Sequence, residues 1–483
     1  MDQKKQAAIS AIEAKAAVIN DVSDSIWEYA ELSLQEFKSA EKYCEVLEKE
    51  GFTVEKGICN IPTAFSASFG SGRPYIGLLA EYDALSGLSQ KGGSLEKEEL
   101  IPGGCGHGCG HNMLGAGALA AALGVKAYLE TAGISGTVIL YGCPGEEGGA
   151  AKAFMARDGL WKNLDVALTW HPGGANEVVT GSSNSCIQTQ YIFHGVAAHA
   201  AGNPERGRSA LDAVQLMNFG VEFLREHMED RARIHYAITN SGGISANVVQ
   251  SKASVLYMVR SPHVARAIEL QKRVDDVAKG AALMTGTTYE KVFIDGTSNT
   301  IPNHVLEKVL FDNFQELGVP THTAEEYAFA DTLAKTYPGA DEPTGMAAKF
   351  SLSLAEEVRE LQKKCGHALN DFLMPLYQAD DAYSAGSTDV ADVSWLCPTG
   401  QIHVVSFANG APGHSWQNVS MGKTDIGRKS VIHAGKVLAA ATIDLFNQPD
   451  TIAAAKAEFE KHTAEGFTSP IPADAVPVIP DLT

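Results

Sequence analysis

Residues 103–112, GGCGHGCGHN, set two cysteines and two histidines within seven positions among five glycines. Thiolate and imidazole are transition-metal ligands, and glycines let a backbone fold tightly enough to bring them to one cation. The cysteines are four apart, so a Cys-x-x-Cys redox pair and a zinc ribbon both fit poorly. In an extended segment positions i and i+2 project together, so Cys105, His107, Cys109 and His111 can share a face. Spacing alone does not choose among them, and a plain glycine loop is the alternative. The turn PGEEGG (144–149) joins two carboxylates, Glu146 and Glu147. Neighbouring residues project oppositely, so one can bind a cation while the other faces a substrate as general base. TWHP (169–172) and APGHSWQ (411–417) add His171 and His414, each of which taken singly reads as a structural hydrogen-bonder. Imidazole, thiolate and carboxylate in one cleft make a transition-metal hydrolase site, with Zn²⁺ or Mn²⁺ most compatible.

The elements around these groups explain how they converge. PYIGLLAEYDAL (74–85), GTVILYGCPGEEGG (136–149), LDVALTWHP (164–172) and QIHVVSFANGAPGH (401–414) read as strands, and 112–131 as a helix. Their alternation predicts an α/β domain with a mainly parallel sheet. Each polar cluster falls at a strand's carboxyl end, where such sheets bind ligands. From about 184 to 297 the order becomes β-α-β-β-α-β, the split βαβ or ferredoxin-like unit, inserted into the larger domain. The expected division is 1–183 and 298–483 for the catalytic domain and 184–297 for the insert. Residues 5–50 read as charged helices, 298–385 are mostly helical in pattern, and the proline-rich tail SPIPADAVPVIPDLT is expected to be extended.

The formal charge of −20 argues against nucleic acid as a partner, because phosphate backbones need a basic patch. LGAGALAAALGVKAYLETAG (114–133) is interrupted by Lys126 and Glu130 and reads as a buried helix, not a membrane span. Eight cysteines with no signal-peptide pattern predict reduced thiols in a cytoplasm.

The runs LLAEYDALSGLSQ, GHGCGHNMLGAGALAAA, YGCPGEEGG, ALTWHP, GVAAHAAGNPERGRSALDAV, HYAITNSGGISANVVQ, STDVADVSW and PGHSWQ occur in order from about residue 20 to 445. In these the chain resembles the amidohydrolase branch of the aminoacylase and glutamate-carboxypeptidase superfamily of two-metal peptidases, within it the B-subunit type of p-aminobenzoyl-glutamate hydrolase. The resemblance implies a zinc-peptidase-like catalytic domain interrupted by a dimerisation and lid domain. It implies that Cys109, His111, Glu147, His171 and His414 hold two divalent ions, Cys109 bridging them, and that Glu146 is the general base. Cys105 falls outside the motif, and His107 is a motif position without an assigned role. Glutamate carboxypeptidases carry His-x-Asp where this chain has Glu81-Tyr82-Asp83, which favours the Cys-containing arrangement; Asp83 is expected to orient an imidazole.

In the insert, the resemblance implies that His199 stabilises the oxyanion in a neighbouring subunit's site and that Asn247 and Arg260 contact substrate, while Ser387, Thr388 and Asp389 line the cleft. Local readings compete with these: a turn histidine, a strand-end salt bridge and a helix cap. The implied activity is metal-dependent hydrolysis of N-acyl or N-aroyl amino acids, p-aminobenzoyl-glutamate first, by a homodimer with or without a second hydrolase subunit. Aminoacylase or dipeptidase action by the same mechanism, a non-catalytic partner subunit, and a thiol redox or metal-storage protein are the alternatives.

Overall fold

The computed structural model describes residues 3–345, 347–379 and 382–477. It divides into two compact units: 3–182 with 301–384 and 393–467, and 183–300 with 385–392 and the stretch from 468 onward.

The first unit is built on a seven-stranded sheet in the order Thr53–Lys56, Phe65–Ser71, Gly136–Gly142, Tyr75–Ala80, Val166–Gly173, Thr399–Val405, Glu177–Val178. The middle four strands are the apolar runs read from the sequence, and they are parallel to one another. The expectation of a mainly parallel sheet needs correction at the edges. Phe65–Ser71 with its outer neighbour Thr53–Lys56, and Glu177–Val178 on the other side, all pair antiparallel, giving a mixed sheet. Parallel neighbours need long crossovers, whereas Glu177–Val178 follows Val166–Gly173 after three residues and must reverse direction.

The helix His111–Ala132 runs against the central strands and along the helix Asp425–Asn447. Small residues permit this close packing. A methyl group on Gly435 would come 2.4 Å from the Ala120 Cβ, and one on Gly117 would strike the Trp170 indole. The Trp170 Nε1–H donates to the Leu114 carbonyl at 2.7 Å, tying the strand that carries His171 to the helix that begins with His111. By length and composition the helix could cross a membrane, but it is the core of this unit, with His111 through Val125 all buried.

The second unit holds a four-stranded antiparallel sheet in the order Thr288–Thr297, Ser185–His194, Lys252–Ser261, Arg233–Asn240. Tyr191, Phe193, Val255, Tyr257 and Val259 alternate onto one face and pack beneath the helices Ala210–Leu224 and Val264–Thr285. Of the proline-rich tail, residues 469–477 form no helix or strand, and 478–483 lie outside the described residues.

Candidate metal centre

The first unit collects its polar groups at the carboxyl ends of its parallel strands. Tyr75–Ala80 leads into Glu81 and Asp83, Gly136–Gly142 into Glu146 and Glu147, Val166–Gly173 contains His171, and Thr399–Val405 precedes His414. The cysteine-histidine loop is not an extended face. Gly110 N–H bonds back to the His107 carbonyl, and Gly110 itself has φ +86°. A side chain there would meet Phe407, Met113 and Pro172 at 3.0 Å or less. At Gly108 the backbone passes so near His414 that a Cβ would lie 3.2 Å from its Cα. The turn therefore separates the four candidates that an extended segment would have aligned. His107 is buried and donates Nε2–H to the Ile26 carbonyl at 2.9 Å, and burial pushes its pKa down to about 4. Cys105 joins none of the ligand clusters found among the described residues.

Cys109 and His111 do join them. The ligand atoms of Cys109, His111 and His171 lie within 4.8 Å of one another, as do those of Cys109, Glu147 and His414. Cys109 Sγ is 3.4 Å from His171 Nε2, and His414 Nε2 is 3.4 Å from Glu147 Oε1. Two ligands on a tetrahedral ion with bonds of about 2.0–2.3 Å stand roughly 3.3–3.8 Å apart, so both separations suit shared coordination. A third cluster joins Glu81, His111 and Glu146.

Hydrogen bonds fix the tautomers of His171 and His111. His171 Nδ1 lies 2.8 Å from the Pro172 carbonyl, which can only accept, so Nδ1 carries the proton and Nε2 keeps its lone pair toward Cys109. Burial, with His111 and His403 nearby, lowers the His171 pKa to about 4 and keeps the ring neutral. His111 Nδ1 donates to Asp83 Oδ1 at 2.8 Å, while Asp83 Oδ2 accepts from Ser33 Oγ and from the Glu147 N–H. Burial opposes ionisation of Asp83, but His111 and these donors outweigh it and bring its pKa to about 2.

The donor set fits a cation. Among the described residues, His111 Nε2 and Glu147 Oε1 are buried and make no hydrogen bond, with Glu81 Oε2 at 3.3 Å from the first and His414 Nε2 at 3.4 Å from the second. Burial drives the Cys109 thiol and the Glu147 carboxyl toward their neutral forms. A cation between them is the neighbour that would hold both ionised.

Three groups at this site escaped the sequence reading. Lys152, fully buried, pairs with Glu81 at 2.8 Å; burial favours a neutral Glu81, but Lys152 and then His111 hold its pKa below the usual range. A lone lysine in the apolar run GGAAKAFM was the available signal. Ser33 and Glu36 come from the loop between the helices Ala16–Tyr29 and Phe37–Lys49. Buried Glu36 accepts from the Gly145 N–H at 2.8 Å and so fixes the turn bearing both glutamates. His403 and Glu177 pair at 2.8 Å beside His171, and no motif marked them.

His199, Asn247 and Arg260 belong to the second unit. His199 is exposed, with Nδ1 accepting from the Ala201 and Gly202 N–H groups, so its proton sits on Nε2. The Asn247 carbonyl accepts from the neighbouring Ala200 N–H. Arg260 donates to Ser387 Oγ at 3.0 Å, and Asp389 is fully buried.

Comparison with known proteins places this arrangement. Over 468 residues the chain is 44% identical to the B subunit of p-aminobenzoyl-glutamate hydrolase from Escherichia coli K12, spanning 97% of each chain. Among solved structures, a putative aminohydrolase from methicillin-resistant Staphylococcus aureus matches with a TM-score of 0.59 at 16% identity, over 91% of this chain and 99% of that one. An aminobenzoyl-glutamate utilization protein from Klebsiella pneumoniae matches with a TM-score of 0.54 at 18% identity, over 87% and 96%. The profile of Peptidase family M20/M25/M40 matches residues 77–406, the span from the first central strand through the last, and the chain belongs to that family.

Proposed function

We propose that the chain hydrolyses the amide bond of N-acyl and N-aroyl amino acids, with p-aminobenzoyl-glutamate as substrate, using two divalent cations, zinc or manganese. The observation that carries this reading is the Cys109 thiol, common to the Cys109–His111–His171 and Cys109–Glu147–His414 clusters, as a ligand shared by two ions would be. The substrate is supported by the 44% identity, over 97% of both chains, to a protein named for that hydrolysis.

Cys109, His111, Glu147, His171 and His414 would hold the ions. Bound there, they would supply Lewis-acid polarisation of the scissile carbonyl and a lowered pKa for an attacking water. Glu146 takes the proton from that water and delivers it to the leaving amine. Asp83 keeps His111 in its ligating tautomer, and Glu36 keeps the Glu146–Glu147 turn in place. We assign His199 to the developing oxyanion, supported by its Nε2–H, and Asn247 and Arg260 to the substrate, Arg260 to its carboxylate.

The second unit, whose strand order corresponds to a ferredoxin-like fold, acts as lid and dimerisation domain of a cytoplasmic homodimer. Its edge strand Arg233–Asn240 is mostly exposed and paired on one side, and Phe219 and Phe223 on its helix are 65% and 77% exposed. A second, A-type subunit is a further partner.

Glu146→Gln tests the reading. It should retain the wild-type metal content and release p-aminobenzoate roughly 10³-fold more slowly. Turnover near the wild-type rate would remove Glu146 as the base.

A further inference from the structure

Strand register builds a row of side chains beside the metal centre that the mechanism above does not use. His403 is the direct partner of His171 in the parallel pairing of Thr399–Val405 with Val166–Gly173, and of Glu177 in the antiparallel pairing on its other side. His171, His403 and Glu177 therefore lie side by side on three adjacent strands. The two imidazoles meet at 68° with centroids 6.0 Å apart. His403 Nδ1 donates to Glu177 Oε1 at 2.8 Å, and the Glu177 side chain is only 4% exposed. The carboxylate accepts from Nδ1–H, the tautomer that leaves the imidazole's lone pair on Nε2.

His403 also borders a cavity. Among the described residues Nε2 has no hydrogen-bond partner, and the ring is not fully buried. His403 lines a pocket of about 410 Å³ that also contains Cys109, His171 and His414. The pocket's other walls are mixed, with Pro172, Pro343 and Phe407 among the apolar side chains and Glu342, Lys349 and Asn409 among the polar ones. The apolar part of the lining suits a flat ring, and the His403 acceptor beside it suits an N–H on that ring.

We infer that this pocket is the subsite for the aroyl half of the substrate and that His403, held by Glu177, selects acyl rings carrying an arylamine N–H. The inference rests on the proposed amide hydrolysis for its orientation. An unsubstituted ring leaves Nε2 dehydrated and unpaired, whereas the arylamine donates to it, so discrimination comes from the missing bond as much as from the one made.

The test compares p-aminobenzoyl-glutamate with benzoyl-glutamate as substrates, and p-aminobenzoate with benzoate as ligands measured by calorimetry, on the metal-loaded protein. Wild type should favour the amino compound at least tenfold in both kcat/KM and binding. His403→Phe should abolish that preference, raising KM for the amino substrate about tenfold more than it raises KM for benzoyl-glutamate. Glu177→Gln, whose amide can turn the tautomer so that Nε2 bears the proton, should also lose the preference. Equal losses on both substrates, or a preference that survives both variants, overturns the assignment. A His403-dependent preference in binding without hydrolysis of either substrate supports the subsite and removes the proposed reaction. Absence of both removes the two together.

Discussion

Replacing Asp83 by asparagine tests how far the proposed metal centre depends on a group outside its assigned ligand set. Asp83 is wholly buried and fully used, with Oδ1 on His111 Nδ1 and Oδ2 on Ser33 Oγ and the Glu147 N–H. Asparagine offers one acceptor where the carboxylate has two. If its oxygen stays with Ser33 and Glu147, its NH₂ confronts His111 Nδ1, forcing the proton to Nε2 and removing the lone pair aimed at the site. If the amide turns over, His111 keeps its tautomer, but the Glu147 N–H faces a donor and the ligand turn shifts. Neither orientation preserves both. Loss of a carboxylate behind a ligating histidine lowers metal affinity about 10–100-fold, roughly 1.4–2.8 kcal/mol. The assay is competition with a chromophoric chelator at fixed pH, alongside thermal unfolding of the metal-free protein to separate ligand geometry from stability. A variant that binds metal within twofold of wild type would refute the argument, because His111 would then be oriented by something other than Asp83.

Cys109→Ser should lose most bound metal and at least a hundredfold in activity, while Cys105→Ser stays within a few-fold; equal losses on metal analysis and turnover would return the loop to the redox reading. Gly110→Ala should destabilise by about 2 kcal/mol or more in a denaturant titration, because φ is +86° and three side chains already occupy the space, and it should displace Cys109; full stability would mean that the loop is plastic. In the second unit, burial raises the Asp392 pKa to about 7, opposed by its hydrogen bonds to Ser298. The unfolded chain ionises near the ordinary value of 3.8, so Asp392's contribution is fully present below that pH and is lost as pH rises through 7. Asp392→Asn should therefore flatten the fall in stability between pH 4 and 7 by at most ~4 kcal/mol, and an unchanged slope in unfolding measured across that range would refute it.

The four central strands and the groups at their ends were legible because buried parallel strands are continuous apolar runs, and because glycine turns carrying Cys, His and Glu are conspicuous beside them. The antiparallel edge strands were not, since Thr53–Lys56 and Glu177–Val178 are short and carry little pattern. The cysteine loop shows the limit most clearly. Cys105, His107, Cys109 and His111 are equivalent by spacing, and the backbone turn at Gly108 and Gly110 decides that 109 and 111 face the cluster while His107 bonds to Ile26.

By itself the sequence determined which side chains were available and which strand each one ended, because local hydrophobic periodicity and turn chemistry need no distant partner. Tertiary structure alone decided what stands behind them: Ser33 and Asp83 behind His111, Glu36 behind the glutamate turn, Lys152 against Glu81, and Glu177 against His403. Each of these is a buried polar group that needs a partner, and that partner is set by sheet order and strand register, which bring together residues as far apart as 177 and 403.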